Sequence, residues 1–321
     1  MNKPQTVRII AGFGRSGTTW VQDVLASSNG LRAVFEPLHP LLIRGANQYA
    51  HRYISANDDE QSLYRLLQRF IYEDYHSLWA DYRVVKSQLS PKLQDFRNWR
   101  TLKDRLSLIV MAKNNVIRFR PQRRFEERIV KCIRANMMLS WLRNKFHARI
   151  VFVIRHPAAV VMSQMREARI WNPYDRLVAY RNDHKLLPNL DERSKALLSE
   201  SLTDVEAHTL SWCIENSIGL AQAKECGGHV VFYERLLEYG EPEWRGILSA
   251  LELQAMPDSR LISRPSQQAW GASATDSRLV RQYASWMSRI DNATSKEIQR
   301  ILDATGTHLY SVSEALPQAS L

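Results

Sequence analysis

The residues best equipped for chemistry are Gly12-Phe13-Gly14-Arg15-Ser16-Gly17-Thr18-Thr19, where glycines, hydroxyls and one fixed cation cluster. Glycines let a backbone approach an anion closely, hydroxyls donate hydrogen bonds, and a guanidinium offers a planar fork for oxyanions. The apolar run Val7 to Ala11 ahead of this cluster predicts a buried strand. Behind it, the spacing of Trp20, Val21, Val24 and Leu25 predicts a helix from Thr18 to Ala26. Strand, glycine turn and helix start make a phosphate site, because free N–H groups and about half a positive charge sit at the first helical turn.

Several phosphate ligands compete for such a loop. A nucleoside triphosphate motif, G-x-x-x-x-G-K-[ST], matches Gly12 and Gly17 in spacing, but Thr18 stands where the lysine belongs. A dinucleotide motif matches Gly12, Gly14 and Gly17 as G-x-G-x-x-G. Glu36 then ends the next apolar run 19 residues after Gly17, which leaves an NAD(P)-dependent oxidoreductase open.

A second pattern lies in the middle of the chain. Ile150-Val151-Phe152-Val153-Ile154 is the β-branched run of a central parallel strand. It ends in Arg155-His156-Pro157, and the early proline starts a helix through Ala158, Val160, Val161 and Ser163. Arg155 and Ser163, eight residues apart, supply a guanidinium fork and a hydroxyl for a second phosphate.

Both stretches resemble the sulfotransferase family that uses 3′-phosphoadenosine 5′-phosphosulfate (PAPS). Gly14-Arg15-Ser16-Gly17-Thr18-Thr19-Trp20 resembles its 5′-phosphosulfate loop, and carbohydrate-directed members often carry Arg where Arg15 stands. Arg155 with Ser163 resembles its 3′-phosphate site. Tyr233-Glu234-Arg235-Leu236-Leu237 resembles its Y-E-D-L segment, with Arg235 where Asp is common, and implies that Tyr233 holds the adenosine end. Arg264, in the loop Ser263-Arg264-Pro265-Ser266, stands where relatives place a basic loop over the 3′-phosphate. The resemblance runs from Val7 to about Ala304. It implies an α/β fold, a P-loop-like doubly wound parallel sheet flanked by helices, in a single domain of residues 1–321.

The implied reaction is in-line displacement at sulfur by an acceptor hydroxyl, with PAPS as donor and no metal. Glu36 is the expected base. It ends the strand Leu31 to Glu36, expected beside the strand that feeds the phosphosulfate loop, and Pro37 stiffens its approach. His39 is the nearest alternative. Arg15 stabilises charge on the phosphate–sulfate bridge, and Lys131 assists the leaving sulfate oxygens. A local ion pair of Glu36 with Arg15 or another arginine is the structural alternative. Phe35-Glu36-Pro37-Leu38 resembles carbohydrate sulfotransferases, so the expected acceptor is a small molecule, glycan or glycolipid hydroxyl.

Stepping outward, these residues need a large scaffold, and 321 residues at 45% hydrophobic supply one. The formal charge of +11 favours anionic ligands and leaves open a non-catalytic nucleotide- or polyanion-binding protein. No specific nucleic-acid partner is expected, because zinc-finger and RNA-recognition signatures are missing. Cys132, Cys213 and Cys226 have no metal or redox spacing, and no leader or apolar span is legible, so a cytoplasmic protein is expected.

Residues 41–127 read as a helical insertion on the acceptor side, with Leu63, Leu66, Leu67, Phe70 and Ile71 at helical spacing. Its basic stretch, Arg97 to Lys131, is either a solvated face or an attraction for an anionic acceptor or a membrane surface. Further helices are expected at Ala135–Phe146, through 170–226 with breaks, at Pro242–Leu251, Tyr283–Ile290 and Thr294–Ala304. On the 204–225 stretch His208, Trp212, Glu215 and Asn216 share a face, and a histidine there reads as structural. The tail after Tyr310 reads as unstructured.

Overall fold

A computed structural model of the chain describes residues 6–73, 75, 77, 79–81, 127–167, 171–263 and 283–318. Among them, strands β1 (Arg8–Gly12), β2 (Arg32–Phe35), β3 (Arg128–Lys131), β4 (Arg149–Ile154) and β5 (His229–Phe232) form one parallel sheet. The order is β2-β3-β1-β4-β5. Ile10 lies opposite Lys131 on one side and Val151 on the other, and Lys131 lies opposite Phe35. The carboxyl ends of β1, β2 and β3 are therefore level.

The described helices are α1 (Thr18–Asn29), α2 (Gln61–Ile71), α3 (Leu139–Phe146), α4 (Pro157–Met165), α5 (Pro173–Arg181), α6 (Glu192–Leu198), α7 (Asp204–Glu225), α8 (Tyr233–Glu238), α9 (Glu241–Leu251), α10 (Ser259–Ile262) and α11 (Asn292–Ala304). They cover both faces of the sheet. Ile150, Phe152 and Ile154 of β4 enter a core shared with α3, α7 and α11, while Val151 and Val153 enter a second core with α1 and α9. Alternate residues of a strand point to opposite faces, so a strand covered on both sides must be apolar throughout. This is the expected doubly wound α/β class.

The sheet corrects the expected placement of Glu36. Its strand is not beside β1, because β3 lies between them and carries Lys131 at the shared edge. In a dinucleotide fold the strand that ends in the acidic residue is the direct neighbour of the first strand. That reading fails here on strand order.

Several boundaries also move. Glu36 has φ 47°, so the chain has left the strand before reaching it. Residues 41–60 form turns rather than helix, closed by short bonds such as Ala46 N–H to the Ile43 carbonyl and Tyr49 N–H to the Ala46 carbonyl. Helix α3 begins at Leu139, not Ala135, because Asn136 turns its side chain back onto the Ile133 carbonyl. Residues 283–289 form turns, with Trp286 buried against the His156 ring at 4.1 Å. Residues 311–318 of the tail are held by hydrogen bonds such as Gln318 N–H to the Leu309 carbonyl at 2.9 Å. Tyr310 is buried and donates to Glu234 at 2.6 Å, and the Ser311 carbonyl lies 3.1 Å from His156 Nε2. Residues 82–126, which hold most of the basic stretch, lie outside the described residues.

Candidate functional site

The loop after β1 stands at the point where the chain switches direction across the sheet, since β3 and β4 flank β1 on either side. Ligand crevices of open α/β sheets lie there. Gly12, at φ 150°, packs so closely on β4 that a Cβ would overlap the Val153 carbonyl oxygen. Gly17, at φ 86°, is the N-cap of α1 and offers no side-chain cap. The first-turn N–H groups of α1 therefore face the loop without a capping side chain, at the positive end of the helix. Ser16 N–H closes the loop on the Phe13 carbonyl at 3.0 Å. The Ser16 hydroxyl is buried and has no partner among the described residues. Thr18 and Thr19 are buried in the first turn of α1.

The two sequence patterns meet at Arg15, which is itself left-handed at φ 77°. Its Nε donates to Ser163 Oγ of α4 at 2.9 Å, and its carbonyl accepts from Arg155 Nη1 at 3.0 Å. Gln164 of α4 donates to the Gly14 carbonyl at 3.1 Å. Arg155 also stacks over the Tyr233 ring at 4.6 Å, and that ring packs directly on Gly17. Trp20 sits edge-on to Tyr233 at 5.7 Å and tilts against Trp244 at 5.5 Å, so it is part of the α1–α9 core. The charge balance is one-sided. Burial lowers the Arg15 pKa, Glu167 at 3.6 Å opposes that, and Arg155 and Arg166 push it further down. Arg15, Arg155 and Arg166 thus interact around this loop, with Glu167 answering Arg15 and Glu234 within electrostatic reach of Arg155, an excess of cations suited to an anion.

The acceptor-side expectation is organised differently. Glu36 is buried, and both of its oxygens are taken. Oε1 meets Lys131 Nζ at 2.7 Å and the Ile133 N–H at 3.1 Å, and Oε2 meets Arg134 Nη1 at 2.8 Å. Burial by itself would raise the Glu36 pKa, but Lys131 and Arg134 override it and the net direction is down. Burial lowers the pKa of the Lys131 ammonium, opposed by Glu36. Its Nζ also lies 4.1 Å over the Phe35 ring. His39 is buried, accepts the Leu41 N–H on Nδ1 at 3.3 Å, and packs edge-on to Trp79 at 4.6 Å. Arg264 lies outside the described residues.

The model of the sulfotransferase family matches residues 9–258. The chain belongs to the sulfotransferase family. Solved structures similar to it include a sulfotransferase domain from the curacin biosynthetic pathway, at 13% identity and a TM-score of 0.39. That match covers 93% of this chain and 96% of that one. A second is a sulfotransferase domain from the Synechococcus PCC 7002 olefin synthase, at 13% identity and a TM-score of 0.42, with 97% of each chain covered. No curated protein matches this chain. Among the described residues no helix is long and apolar enough to cross a membrane.

Several residues that the structure brings to this region carry no motif in the sequence. Arg134 was hidden because its role depends on β3 lying beside β2. Trp171 covers Gly14 closely enough that a Cβ there would enter its ring, and no sequence motif marks it. Asn136 and His51 carried no motif. Glu215 was placed on a helical face with His208, which is buried with its pKa down at about 4. Nothing in that spacing showed what Glu215 holds.

Proposed function

We propose that the protein transfers a sulfuryl group from PAPS to an acceptor hydroxyl. The observation that carries this reading is the convergence of Arg15, Arg155 and Ser163, from two separate strand–helix junctions, on one loop. The unpartnered Ser16 hydroxyl and the equally unpartnered, buried Arg155 Nε fit a ligand rich in anionic oxygens. PAPS, when bound, supplies an activated sulfuryl group whose departure leaves adenosine 3′,5′-bisphosphate.

In this reading Gly14, Ser16, Gly17, Thr18 and Thr19 donate to the 5′-phosphate, through backbone N–H groups and hydroxyls. Arg15 stabilises the charge that develops on the bridging oxygen. Arg155 and Ser163 bind the 3′-phosphate, with Arg264 as a further candidate, and Tyr233 takes the adenosine end while Trp20 supports it. Glu36 takes the acceptor's proton, and Lys131 shifts from Glu36 toward the sulfuryl oxygens as charge moves. A carboxylate ionised by its neighbours is always in the correct protonation state, although each donor on it lowers its basicity. His39, tied to the Leu41 N–H, is the second candidate base. The proposed acceptor is a sugar or glycolipid hydroxyl, supported by the Phe35–Leu38 resemblance. The protein is proposed to act in the cytoplasm as one domain, with peripheral membrane contact through the basic stretch 97–131 as a further proposal.

Calorimetric titration with adenosine 3′,5′-bisphosphate, NADH and NADPH tests the donor. Saturable binding of the bisphosphate alone is expected. Binding of NADPH with none of the bisphosphate would overturn the reading. Labelled PAPS offered to sugars, glycolipids and phenols then sorts the acceptor class.

A further inference from the structure

The buried carboxylate of Glu215, midway along α7, is used by none of the roles above, yet four polar groups converge on it. Asn136 Nδ2 donates to its Oε2 at 2.6 Å. Tyr180 OH donates to Oε1 at 2.6 Å, His51 Nδ1 meets the same oxygen at 2.9 Å, and Arg176 Nη1 lies at 3.6 Å. Burial would raise the Glu215 pKa, but His51 and Arg176 bring it to about 2, so it is an anion throughout the physiological range.

Two of those partners lead to the phosphate loop. Asn136 Oδ1 accepts the Gly12 N–H at 2.8 Å, replacing the ladder that ends when β3 ends at Lys131. An ionised carboxylate only accepts, so it obliges Asn136 to turn its NH2 toward Glu215 and its oxygen toward Gly12. The Ile133 carbonyl, which also accepts from Nδ2 at 3.0 Å, enforces the same orientation. Arg176 lies over the Phe13 ring at 4.8 Å and the Trp171 ring at 5.5 Å, and Trp171 covers Gly14. Three consecutive loop residues thus trace to one carboxylate.

A third partner, His51, leads elsewhere. His51 comes from the turns that follow β2, it is partly exposed, and its N–H bonds to the carbonyl of Arg134, the residue that grips Glu36. Burial lowers the His51 pKa, opposed by Glu215, and its Nδ1 proton is directed at the carboxylate at 2.9 Å.

We propose that Glu215 is a positioning residue that sets the Gly12–Gly14 turn and couples it to the His51 segment beside Glu36. The donor loop and the Glu36 side then share one anion, so a disturbance at His51 is felt at the loop without touching it. The proposal rests on the loop being the nucleotide site of the proposed reaction.

A double-mutant cycle on the full chain tests it, read by calorimetric binding of adenosine 3′,5′-bisphosphate and by melting temperature. His51→Ala and Tyr180→Phe each remove one bond to Glu215 and leave the loop residues intact. Each is expected to weaken bisphosphate binding by about three- to tenfold, the scale of one lost hydrogen bond. Glu215→Gln is expected to weaken it more, and adding His51→Ala to Glu215→Gln is expected to change nothing further. If wild type binds the bisphosphate and the variants bind it equally while melting earlier, Glu215 is only structural and the proposal fails. Fully additive losses also overturn the coupling. If Glu215→Gln does not fold, His51→Ala and Tyr180→Phe decide on the same binding-against-melting criterion. Failure of wild type to bind the bisphosphate is instead the failure of the sulfotransferase-donor reading.

Discussion

The two sides of the sheet edge handle charge in opposite ways. Around the phosphate loop, cations outweigh anions. Arg15 and Arg155 approach one another, Glu167 answers at 3.6 Å, and Ser16 Oγ and Arg155 Nε are buried without partners among the described residues. Around Glu36 the charges answer one another at 2.7 and 2.8 Å, and a backbone N–H completes the set. The first region is built to gain by receiving an anion. In the second the Glu36 carboxylate is already satisfied and only Arg134 Nε is buried without a partner among the described residues, so whatever Glu36 does in a reaction begins by exchanging one of its own bonds. Removing one member of a buried charge pair leaves the other exposed to the full desolvation penalty, whereas an unsatisfied donor set is relieved by its ligand.

The largest effect that tests this contrast is expected at Arg15. If it acts on charge that appears only during transfer, Arg15→Ala lowers kcat by the equivalent of about 2.7–4 kcal/mol while bisphosphate affinity falls less. Arg15→Lys keeps a point charge and loses the fork, so partial activity is expected. Steady-state kinetics with labelled PAPS measures both. An unchanged kcat with only a raised donor KM would assign Arg15 to binding.

Next comes Glu36. Glu36→Gln keeps the shape, removes the charge, and is expected to cut turnover about 100-fold or more with bisphosphate affinity nearly unchanged. Normal turnover in Glu36→Gln, with His39→Ala inactive, would move the base to His39. Loss of bisphosphate affinity in Glu36→Gln would break the contrast itself, because the two regions would then be one electrostatic unit.

A smaller effect is expected at Arg155. Arg155→Ala should lose about 1.5–3 kcal/mol of affinity for adenosine 3′,5′-bisphosphate and little for adenosine 5′-monophosphate. Calorimetry on both nucleotides reads the difference, and an undiminished preference for the bisphosphate would remove Arg155 from the 3′-phosphate.

The smallest effect is a displacement of the pH profile. Glu36 has a folded pKa below its ordinary value, so it stays ionised as pH falls through the usual glutamate range. The acid limb of kcat/KM is therefore expected below that range, not at it. The same sign holds for stability. The contribution of the Glu36 ion pairs is fully present above the unfolded glutamate pKa and is lost as pH falls through the lower folded value. Melting temperatures of wild type and Glu36→Gln should accordingly converge only in strong acid.

What the sequence determined by itself is local. The glycine–hydroxyl loop between strand and helix, the arginine at the end of an apolar run, and the serine two turns beyond are each defined by residues within about ten positions of one another. The doubly wound class was implied by the resemblance that those short motifs carry, and the parallel sheet bears it out. Tertiary structure decided everything that depends on which strands are neighbours. The β2-β3-β1 order put Lys131 between Glu36 and the loop, removed the dinucleotide reading, and turned an expected free base into a held carboxylate. It also brought His51, Asn136, Tyr180 and Glu215 together from separations of 35 to 164 residues. A hydrophobic period encodes which face of an element is buried, but no local pattern encodes which distant polar group will be buried against it.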